Sequence, residues 1–233
     1  MQNDNLFNSI KAIFAATIIE YRFTSTERQA SPYGEIPKGW RYVELGDLCD
    51  TVTKGTTPTT LGMDFVDSGI NFVKGESICE DHSFNKTLFA FIDEDTDVLL
   101  SRSRIKNCDI LFTIAGTLGK FAMADESILP ANTNQAVAII RVDPAKILPE
   151  VLYTYFIGGW QTEFYKRKTQ QAVQANLSLG TIKELPILLP DTSSLHKYMK
   201  SVLPILASIW RNHAEIEQLY NFQNQILITL LSC

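Results

Sequence analysis

The 233-residue sequence has few of the residues that mark disulfide-bonded, zinc-binding or membrane-spanning proteins. It contains four cysteines, widely separated and with no CxxC pair: Cys49, Cys79, Cys108 and Cys233. This spacing argues against a zinc knuckle and against a disulfide framework, and it predicts reduced thiols in a cytoplasmic protein. The apolar run at residues 12–19 is too short to cross a bilayer, so the sequence predicts neither a membrane span nor a secretion signal.

Patterns that accompany catalysis are missing as well. The Asn/Asp-Pro-Pro-aromatic tetrapeptide of amino-methyltransferases does not occur. Residues 116–120 (GTLGK) are spaced too closely for a phosphate-binding loop, and Phe121 stands where a magnesium-binding Ser or Thr would follow, so a turn is predicted there. Cys79 and His82 supply only two metal ligands, and the acidic residues 93–95 are interpreted as a solvated loop. We therefore expect no metal site, no cofactor and no catalytic activity in this chain.

The charge balance is acidic, with 26 Asp and Glu against 21 Lys and Arg, a net charge of −5 and a sequence pI of about 5.3. A protein that binds any polyanion without preference is usually basic, so that class is not favoured. The basic residues nevertheless cluster in two places: Arg102, Arg104, Lys106 and Lys120, and residues 166–168. A local basic face is therefore compatible with the acidic total.

The spacing of the apolar residues predicts helices at both ends of the chain and a β-rich middle. Residues 5–22 have an apolar face at helical spacing, and residues 23–33 are interpreted as a polar linker. Short runs between turn signals predict strands at residues 70–72, 109–114, 121–124 and 136–142. Residues 149–167 are expected to be helical, with an interruption at Gly158 and Gly159. The predicted fold class is α+β, with enough apolar residues (45%) for a full core.

Residues 193–230 carry a heptad pattern, with apolar residues at alternating spacings of three and four. The predicted seam consists of Val202, Ile205, Ile209, Asn212, Ile216, Leu219, Gln223, Ile226 and Leu230. Its two polar members, Asn212 and Gln223, weaken a coiled coil but penalise wrong registers. We expect a long helix that packs against a partner helix and carries no catalytic or ligand site.

The stretch at residues 165–190 joins the β-rich middle to this helix. It runs from the basic residues 166–168 through an amide-rich segment to an apolar, strand-like piece at 185–189. Basic side chains suit phosphates, and a carboxamide suits base edges because it can donate and accept at once. DNA contact is therefore one interpretation of this stretch. A solvated loop that leads into a strand is the other.

A series of short segments stands out when the chain is taken in order. They are EIPKGW at 35–40, VELGD at 43–47, DILF at 109–112 with Gly116 and Gly119, NQAVA at 134–138, QANLS at 174–178, IKELPILLP at 182–190 and LITLLS at 227–232. Each is degenerate alone. Their order and spacing over nearly the whole chain resemble the specificity subunits of type I restriction–modification systems, in which they mark a target-recognition domain and the long helix after it.

The resemblance implies a specific organisation. A full specificity subunit has two target-recognition domains, each reading one half of a split DNA sequence. Two long helices pack as an antiparallel coiled coil and fix the distance between the halves. The subunit is not catalytic, and it docks methyltransferase and endonuclease subunits. This chain has one such domain, so it resembles a half-length subunit whose residues 5–22 correspond to the tail of the central helix.

The predicted domains follow from the same resemblance. Residues 1–33 form the N-terminal helix and linker, residues 34–190 the target-recognition domain, and residues 191–233 the long C-terminal helix. The implied partners are double-stranded DNA, the methyltransferase subunit, the endonuclease subunit and a second half subunit, which could be another copy of the chain. A homodimer would have two-fold symmetry and would favour a palindromic split site.

The residues assigned to DNA contact come from the loops of the predicted domain. They are Lys54, Thr56, Thr57, Lys74, Asn132, Asn134, Lys166, Arg167, Gln170, Gln171, Gln174 and Asn176. Lys166 and Arg167 are assigned to phosphates, which position a protein on DNA without specifying the sequence. Each amide has an alternative role, a hydrogen bond that stabilises its own loop.

Two other functional classes fit parts of the sequence. The first is a dimeric coiled-coil protein-interaction module without DNA binding, which an acidic chain with a heptad helix would suit. The second is a fragment of a single-chain restriction–modification enzyme that lacks its methyltransferase part. Salt-dependent DNA binding separates the first from a specificity subunit, and the neighbouring coding sequence separates the second.

Overall fold

The computed structural model describes residues 2–22, 24, 26–170 and 176–231. The helices are α1 (Gln2–Phe14), continued by a π-helical turn (Ala15–Ile19), α2 (Glu94–Leu99), α3 (Pro149–Ile157), α4 (Trp160–Gln170), α5 (Leu179–Lys183) and α6 (Thr192–Leu231). The strands are β1 (Arg28–Ser31), β2 (Gly34–Pro37), β3 (Arg41–Glu44), β4 (Cys49–Lys54), β5 (Ile70–Val73), β6 (Ala90–Ile92), β7 (Ile110–Thr113), β8 (Phe121–Met123), β9 (Ala131–Thr133), β10 (Val137–Val142) and β11 (Pro186–Leu189).

Two sheets form the middle of the molecule. The larger is antiparallel, in the order β4-β10-β7-β8. The smaller has the order β6-β5-β9, in which β5 and β9 run parallel. Antiparallel pairs β3–β11 and β1–β2 lie beside them. The four strands predicted from the sequence are present to within one residue at each end, and the predicted α+β class is confirmed.

The two central strands of the larger sheet, β7 and β10, are buried on both faces, which explains why their residues are almost all apolar. Phe112 points to the helical side, where its ring centre lies 5.6 Å from that of Phe156 in α3. Leu111, its neighbour, points to the opposite side and packs in a core with Val73 of the smaller sheet. Successive side chains of a strand alternate between faces, so one short strand serves both cores.

The N-terminal helix packs by the apolar face that its periodicity predicts. Ile10, Phe14 and Ile18 are almost completely buried. Gly158 lies at the break between α3 and α4, and a Cβ there would lie 2.3 Å from Phe14 Cδ1, so a larger residue would clash with the N-terminal helix. Burying a side chain of this size contributes about 1.5–3 kcal/mol. The absence of a side chain at the predicted glycine interruption therefore lets the N-terminal helix pack closely against the domain.

The C-terminal helix starts at a polar cap and runs antiparallel to α1. The Asp191 carboxylate accepts hydrogen bonds from the Ser194 backbone N–H and from Trp40 Nε1, each at 3.0 Å. These hydrogen bonds hold the pKa of Asp191 below its usual value. Further along α6, Asn212 Nδ2 donates to Asn3 Oδ1 at 2.7 Å. The polar residue predicted inside the seam thus has a polar partner on the neighbouring helix.

The predicted seam has two different environments. Val202 and Ile209 are buried, Ile205 is half-buried, and Leu206, which the seam omits, is the fully buried residue of that turn. Beyond Asn212 the remaining seam residues are exposed: Ile216, Leu219, Gln223, Ile226 and Leu230.

Two local predictions are wrong. Residues 23–33 are not a linker throughout, because β1 and β2 form a hairpin that crosses the expected domain boundary at 33/34. The Gln29 side chain fixes this hairpin by donating to Trp40 O at 2.7 Å. The acidic run at 93–95 is not a loop, since Asp93 caps α2 by accepting from the Thr96 N–H at 2.8 Å. Carboxylates in the first turn of a helix suit its dipole.

Candidate nucleic-acid interface

The loops that carry most of the predicted contact residues meet at one end of the larger sheet. Its register pairs Lys54 with Ala138 and Thr113 with Val137. The loops after β4 and β7 and the loops before β10 and β8 therefore leave the sheet on the same side, since the four strands alternate in direction. The turn predicted at residues 116–120 is the β7–β8 connection, and positive φ angles at Gly116 and Gly119 shape it.

The loops that follow β5 and β9 of the smaller sheet lie at the same end. Its parallel register pairs Val73 with Thr133, and the Thr133 hydroxyl donates to Val73 O at 2.7 Å. Lys74 and Asn134 follow these two residues directly, so parallel pairing brings them out side by side. Lys74 Nζ lies 5.0 Å from the centre of the Phe65 ring, an arrangement that orients the ammonium group.

Hydrogen bonds and a close backbone contact connect the loop after β4 to the loop before β10. The Gly55 N–H donates to Asn134 O at 3.1 Å, and a Cβ on Gly55 would lie 1.6 Å from Thr133 O, so only glycine fits there. The Thr57 hydroxyl donates to Gln135 Oε1 at 2.5 Å. Thr56 and Thr57 are half-buried in this contact, whereas Lys54 is exposed.

The segment before α5 reaches the same place. The Leu177 N–H donates to Ile114 O at 3.0 Å, which leaves the neighbouring Asn176 exposed beside the end of β7. Lys166 of α4 lines a surface hollow together with Gly119 and Leu177. We call the surface formed by residues 54–57, 74–75, 114–120, 134–136 and 176–177 the loop end.

Gln171 and Gln174 lie outside the described residues. Gln170 is the last residue of α4, and its side chain is not described either. Of the amide-rich segment, Asn176 is the described residue that lies at the loop end.

Asn132 does not lie at the surface. It is completely buried, and its Oδ1 accepts from the Ser103 hydroxyl at 2.7 Å. Its Nδ2 donates to Asp97 Oδ1 and to Leu100 O, both at 3.1 Å. Its amide is satisfied within the domain, where it ties β9 to α2. Asn132 is therefore a structural residue, and its predicted contact with DNA is wrong.

The basic cluster of α4 is divided between two sides of the helix. Arg167 and Lys168 line a groove that also contains Tyr42 and Trp160, away from the hollow that Lys166 lines. Lys168 Nζ pairs with Glu184 Oε2 at 2.7 Å. Consecutive residues of a helix point about 100° apart, so three adjacent basic residues cannot share one face. Arg167 is not part of the loop end.

The other basic cluster is divided as well. Arg102 is exposed, and its Nη2 lies 3.5 Å from Lys54 O, which adds a guanidinium group to the loop end. Arg104 instead pairs with Asp97 at 2.6 Å. Arg102 is not among the DNA-contact residues predicted from the sequence, although it belongs to the predicted basic cluster.

A buried ion pair supports the sheet behind the loop end. Arg141 Nη2 lies 2.6 Å from Asp109 Oδ2, and Asp109 is completely buried. Burial raises the pKa of the Asp109 carboxyl, and the hydrogen bonds and charge of Arg141 oppose this rise. Removing one partner of such a pair leaves an uncompensated buried charge, so these two residues are structural.

Features of other functional classes are not found in the part of the chain that the structure describes. Within the described ranges, no group of three or more His, Cys, Asp or Glu side chains could hold a metal ion. Of the described helices, none combines the length and the apolar character that crossing a bilayer requires.

Comparison with known proteins identifies relatives over most of the chain. The family model of the type I restriction modification DNA specificity domain matches residues 37–219. The specificity subunit of the type I restriction enzyme EcoBI from Escherichia coli is 23% identical over 176 residues, which cover 74% of this chain and 36% of that subunit.

Solved structures of such subunits share the fold. The HsdS subunit from Thermoanaerobacter tengcongensis has a TM-score of 0.56 and 15% identity, over 94% of this chain and 46% of that chain. The S subunit of a type I restriction–modification system from M. genitalium has a TM-score of 0.58 and 12% identity, over 96% of this chain and 51% of that chain. The chain spans about half the length of these structures. Because the family match extends over more than half of its residues, the chain belongs to the type I restriction–modification DNA specificity domain family.

Proposed function

We propose that this chain reads one half of a split DNA sequence and positions a methyltransferase subunit, and an endonuclease subunit where one is present, on that DNA. It contributes no catalytic group of its own. The observation that carries this proposal is the convergence of separate loops at the loop end, with Lys54, Lys74 and Arg102 around exposed polar side chains. Cationic groups around hydrogen-bonding side chains suit a DNA surface, because phosphates position the protein and base edges specify the sequence.

The loop end also accounts for DNA binding by an acidic protein. Ion pairs within the domain neutralise other basic side chains, such as Arg104, Arg141 and Lys168. The basic residues at the loop end come from different parts of the chain, and only folding brings them together. A net charge of −5 is therefore compatible with a local DNA site, and it disfavours binding elsewhere on the surface.

Two copies of the chain are proposed to act together. The chain spans 46–52% of the solved structures that it matches, so two copies have about the length of one such protein. The exposed apolar residues at the end of α6 supply a surface for pairing. A two-fold dimer would present two identical loop ends and would read a split site with inverted, identical halves.

The test is co-expression with the methyltransferase subunit encoded beside the chain, followed by mapping of methylated bases in the host genome. We expect a new split motif with symmetric halves. A split but asymmetric motif would mean that the chain pairs with a different half subunit. Co-purification of the two proteins without new methylation would contradict the recognition role.

The division of labour at the loop end is tested in the purified complex. Lys54→Ala should weaken binding to every DNA sequence and lower the slope of log K against log salt concentration by about 1. Asn176→Ala should cost about 1–3 kcal/mol on the preferred sequence alone. Lys38→Ala is the matched control, since Lys38 pairs with Glu27 at 2.8 Å in the hairpin region. Equal losses on random and preferred DNA for Lys54→Ala and Asn176→Ala would contradict this assignment.

The second candidate function is a dimeric interaction module without DNA binding. The apolar residues exposed on α6, including Phe222 at 61% and Leu230 at 69%, favour it as much as they favour the specificity subunit. The salt series separates the two functions. A dimer that shows no salt-dependent binding to DNA is the result expected of the interaction module.

A further inference from the structure

Residues 79–86, which we call the docking loop, connect the recognition domain to the long helix. Lys86 Nζ forms an ion pair with a carboxylate oxygen of Glu217 on α6. One turn earlier on the helix, His213 Nε2 lies 4.0 Å from Asp81 Oδ2. The two contacts bracket a single turn of α6, so the loop restrains both the position and the rotation of the helix there.

The same loop contacts the N-terminal helix and the larger sheet through one side chain. The His82 ring meets Phe7 of α1 edge-on, with ring centres 5.1 Å apart, and stacks on Phe121 of β8 at 4.0 Å. Its Nδ1 lies 3.2 Å from Phe121 O, and the Tyr153 hydroxyl donates to His82 O at 3.5 Å. The docking loop therefore packs on β8 and contacts both terminal helices, α1 through His82 and α6 through Lys86.

The anchor point adjoins the loop end. Phe121, on which His82 stacks, directly follows Lys120, the last residue of the loop between β7 and β8. Lys120 Nζ pairs with Glu80 Oε1 of the docking loop at 3.2 Å. One continuous set of contacts therefore runs from the loop end through the docking loop to α6.

Beyond Glu217 the long helix extends away from the packed part of the domain. Residues 218–230 are all exposed. At 1.5 Å per residue this part of α6 is about 20 Å long, so a rotation of about 10° at the docking loop moves its end by roughly 3.5 Å. That displacement is close to the rise of one base pair, about 3.4 Å along a DNA strand.

We propose that the docking loop sets the angle between the recognition domain and α6, and thereby the number of base pairs that separate two half-sites. Lys86, Asp81 and His82 are positioning residues in this role. The inference rests on the proposed function, in which two copies join through their helices. The Lys86–Glu217 pair is about a third exposed on each side, so it contributes little to stability, and its geometric effect can be tested separately.

The experiment measures binding to a series of duplexes that carry the same two half-sites, from the motif mapped above, with gaps that differ by single base pairs. The complex of the chain with its methyltransferase subunit is used throughout. For the wild type we expect one preferred gap. In Lys86→Glu and in Glu217→Lys, the ratio of affinities between the preferred gap and its neighbours should fall about two- to fivefold, and the double charge swap should restore it.

Lys38→Glu is the matched control, because it reverses the charge of another exposed Lys–Glu pair, Lys38 with Glu27, which does not involve α6. It should leave the ratio unchanged while altering overall affinity as any added negative charge does. An unchanged ratio in both single variants would overturn the inference, and so would a double variant that fails to restore it. Wild-type binding without any gap preference would overturn it too, whereas absence of sequence-specific binding at every gap would refute the proposed function itself.

Discussion

The two halves of α6 share one heptad pattern but have opposite environments. In the first half, Tyr198, Val202 and Ile209 are at most 1% exposed. In the second half, Leu219 is 60% and Leu230 is 69% exposed, although both belong to the same predicted seam. The pattern therefore establishes that the helix has an apolar face along its whole length. It does not establish what covers that face.

The two halves of α6 differ in exposure because they have different packing partners. The first half packs on α1 and on the domain, and its polar seam residue Asn212 pairs with Asn3. The second half extends past the last contact of the docking loop, the Lys86–Glu217 ion pair. A helix with an unpaired apolar face is marginally stable in water, so we expect the second half, whose residues 218–230 are exposed, to pack against another molecule.

The sharpest test of this comparison is a pair of identical substitutions, one in each half. Leu206→Ala removes a fully buried side chain and should lower the free energy of unfolding by about 2–5 kcal/mol, because it leaves a cavity between α6 and the domain. Leu227→Ala, at a position 48% exposed, should change it by less than about 0.5 kcal/mol. Urea unfolding at a protein concentration that keeps the chain monomeric measures both. Equal losses would mean that the second half is packed within the monomer.

A smaller effect is expected on self-association. Ile226→Ala removes a seam residue that is 43% exposed, and it should weaken the dimer by about 2 kcal/mol, roughly 30-fold in Kd, by sedimentation equilibrium. Ile228→Ala is the control, since Ile228 is 66% exposed and lies about 200° around the helix from Ile226. If both variants weaken the dimer equally, the exposed face associates without the register that the heptad implies.

The sequence predicted the elements of the fold better than the surfaces of the site. The strands at 110–113 and 137–142 are recognisable in the sequence because central strands that are buried on both faces require nearly continuous apolar runs. The strand Arg28–Ser31 was missed because RQAS is polar and its hairpin lies largely at the surface. Asp93 was read as part of a loop because a cap depends on a single hydrogen bond to Thr96.

At the candidate site, local sequence predicts which residue types are present but not which of them reach the surface. Lys54, Lys74 and Asn134 were predicted separately, and strand register brings them together. Asn132 has the same residue type as Asn134 two positions away, but partners 29 and 35 residues distant in sequence, Ser103 and Asp97, hold it in the interior. Nothing within its own segment distinguishes the two asparagines.

The smallest predicted effect is the change of stability with pH that arises from His82, which packs between α1 and β8. Burial lowers the pKa of His82 to about 4, against the opposing influence of its hydrogen bond to Phe121 O. An unfolded chain protonates this histidine near pH 6.5, so below that pH the unfolded state binds a proton that the folded state does not bind until about pH 4. Stability should therefore fall as the pH falls through this window, by about 1.4 kcal/mol at roughly pH 5.5 from His82 alone.

His82→Asn removes the titration and suits the backbone, because His82 has a φ of 62° and asparagine tolerates positive φ well. The variant loses the aromatic contacts with Phe7 and Phe121, so it should be less stable at pH 7.5, yet the further loss on acidification should be smaller than in the wild type. Urea unfolding at the two pH values measures this difference, and His196→Asn, on the exposed side of α6, is the control that should behave as the wild type. If His82→Asn shows the wild-type loss at pH 5.5, the acid sensitivity arises elsewhere, with His213 the next candidate because burial lowers its pKa as well. If the loss disappears, protonation of His82, which lies between α1 and β8, accounts for the acid sensitivity, and the contact between the N-terminal helix and the domain is the pH-dependent part of the structure.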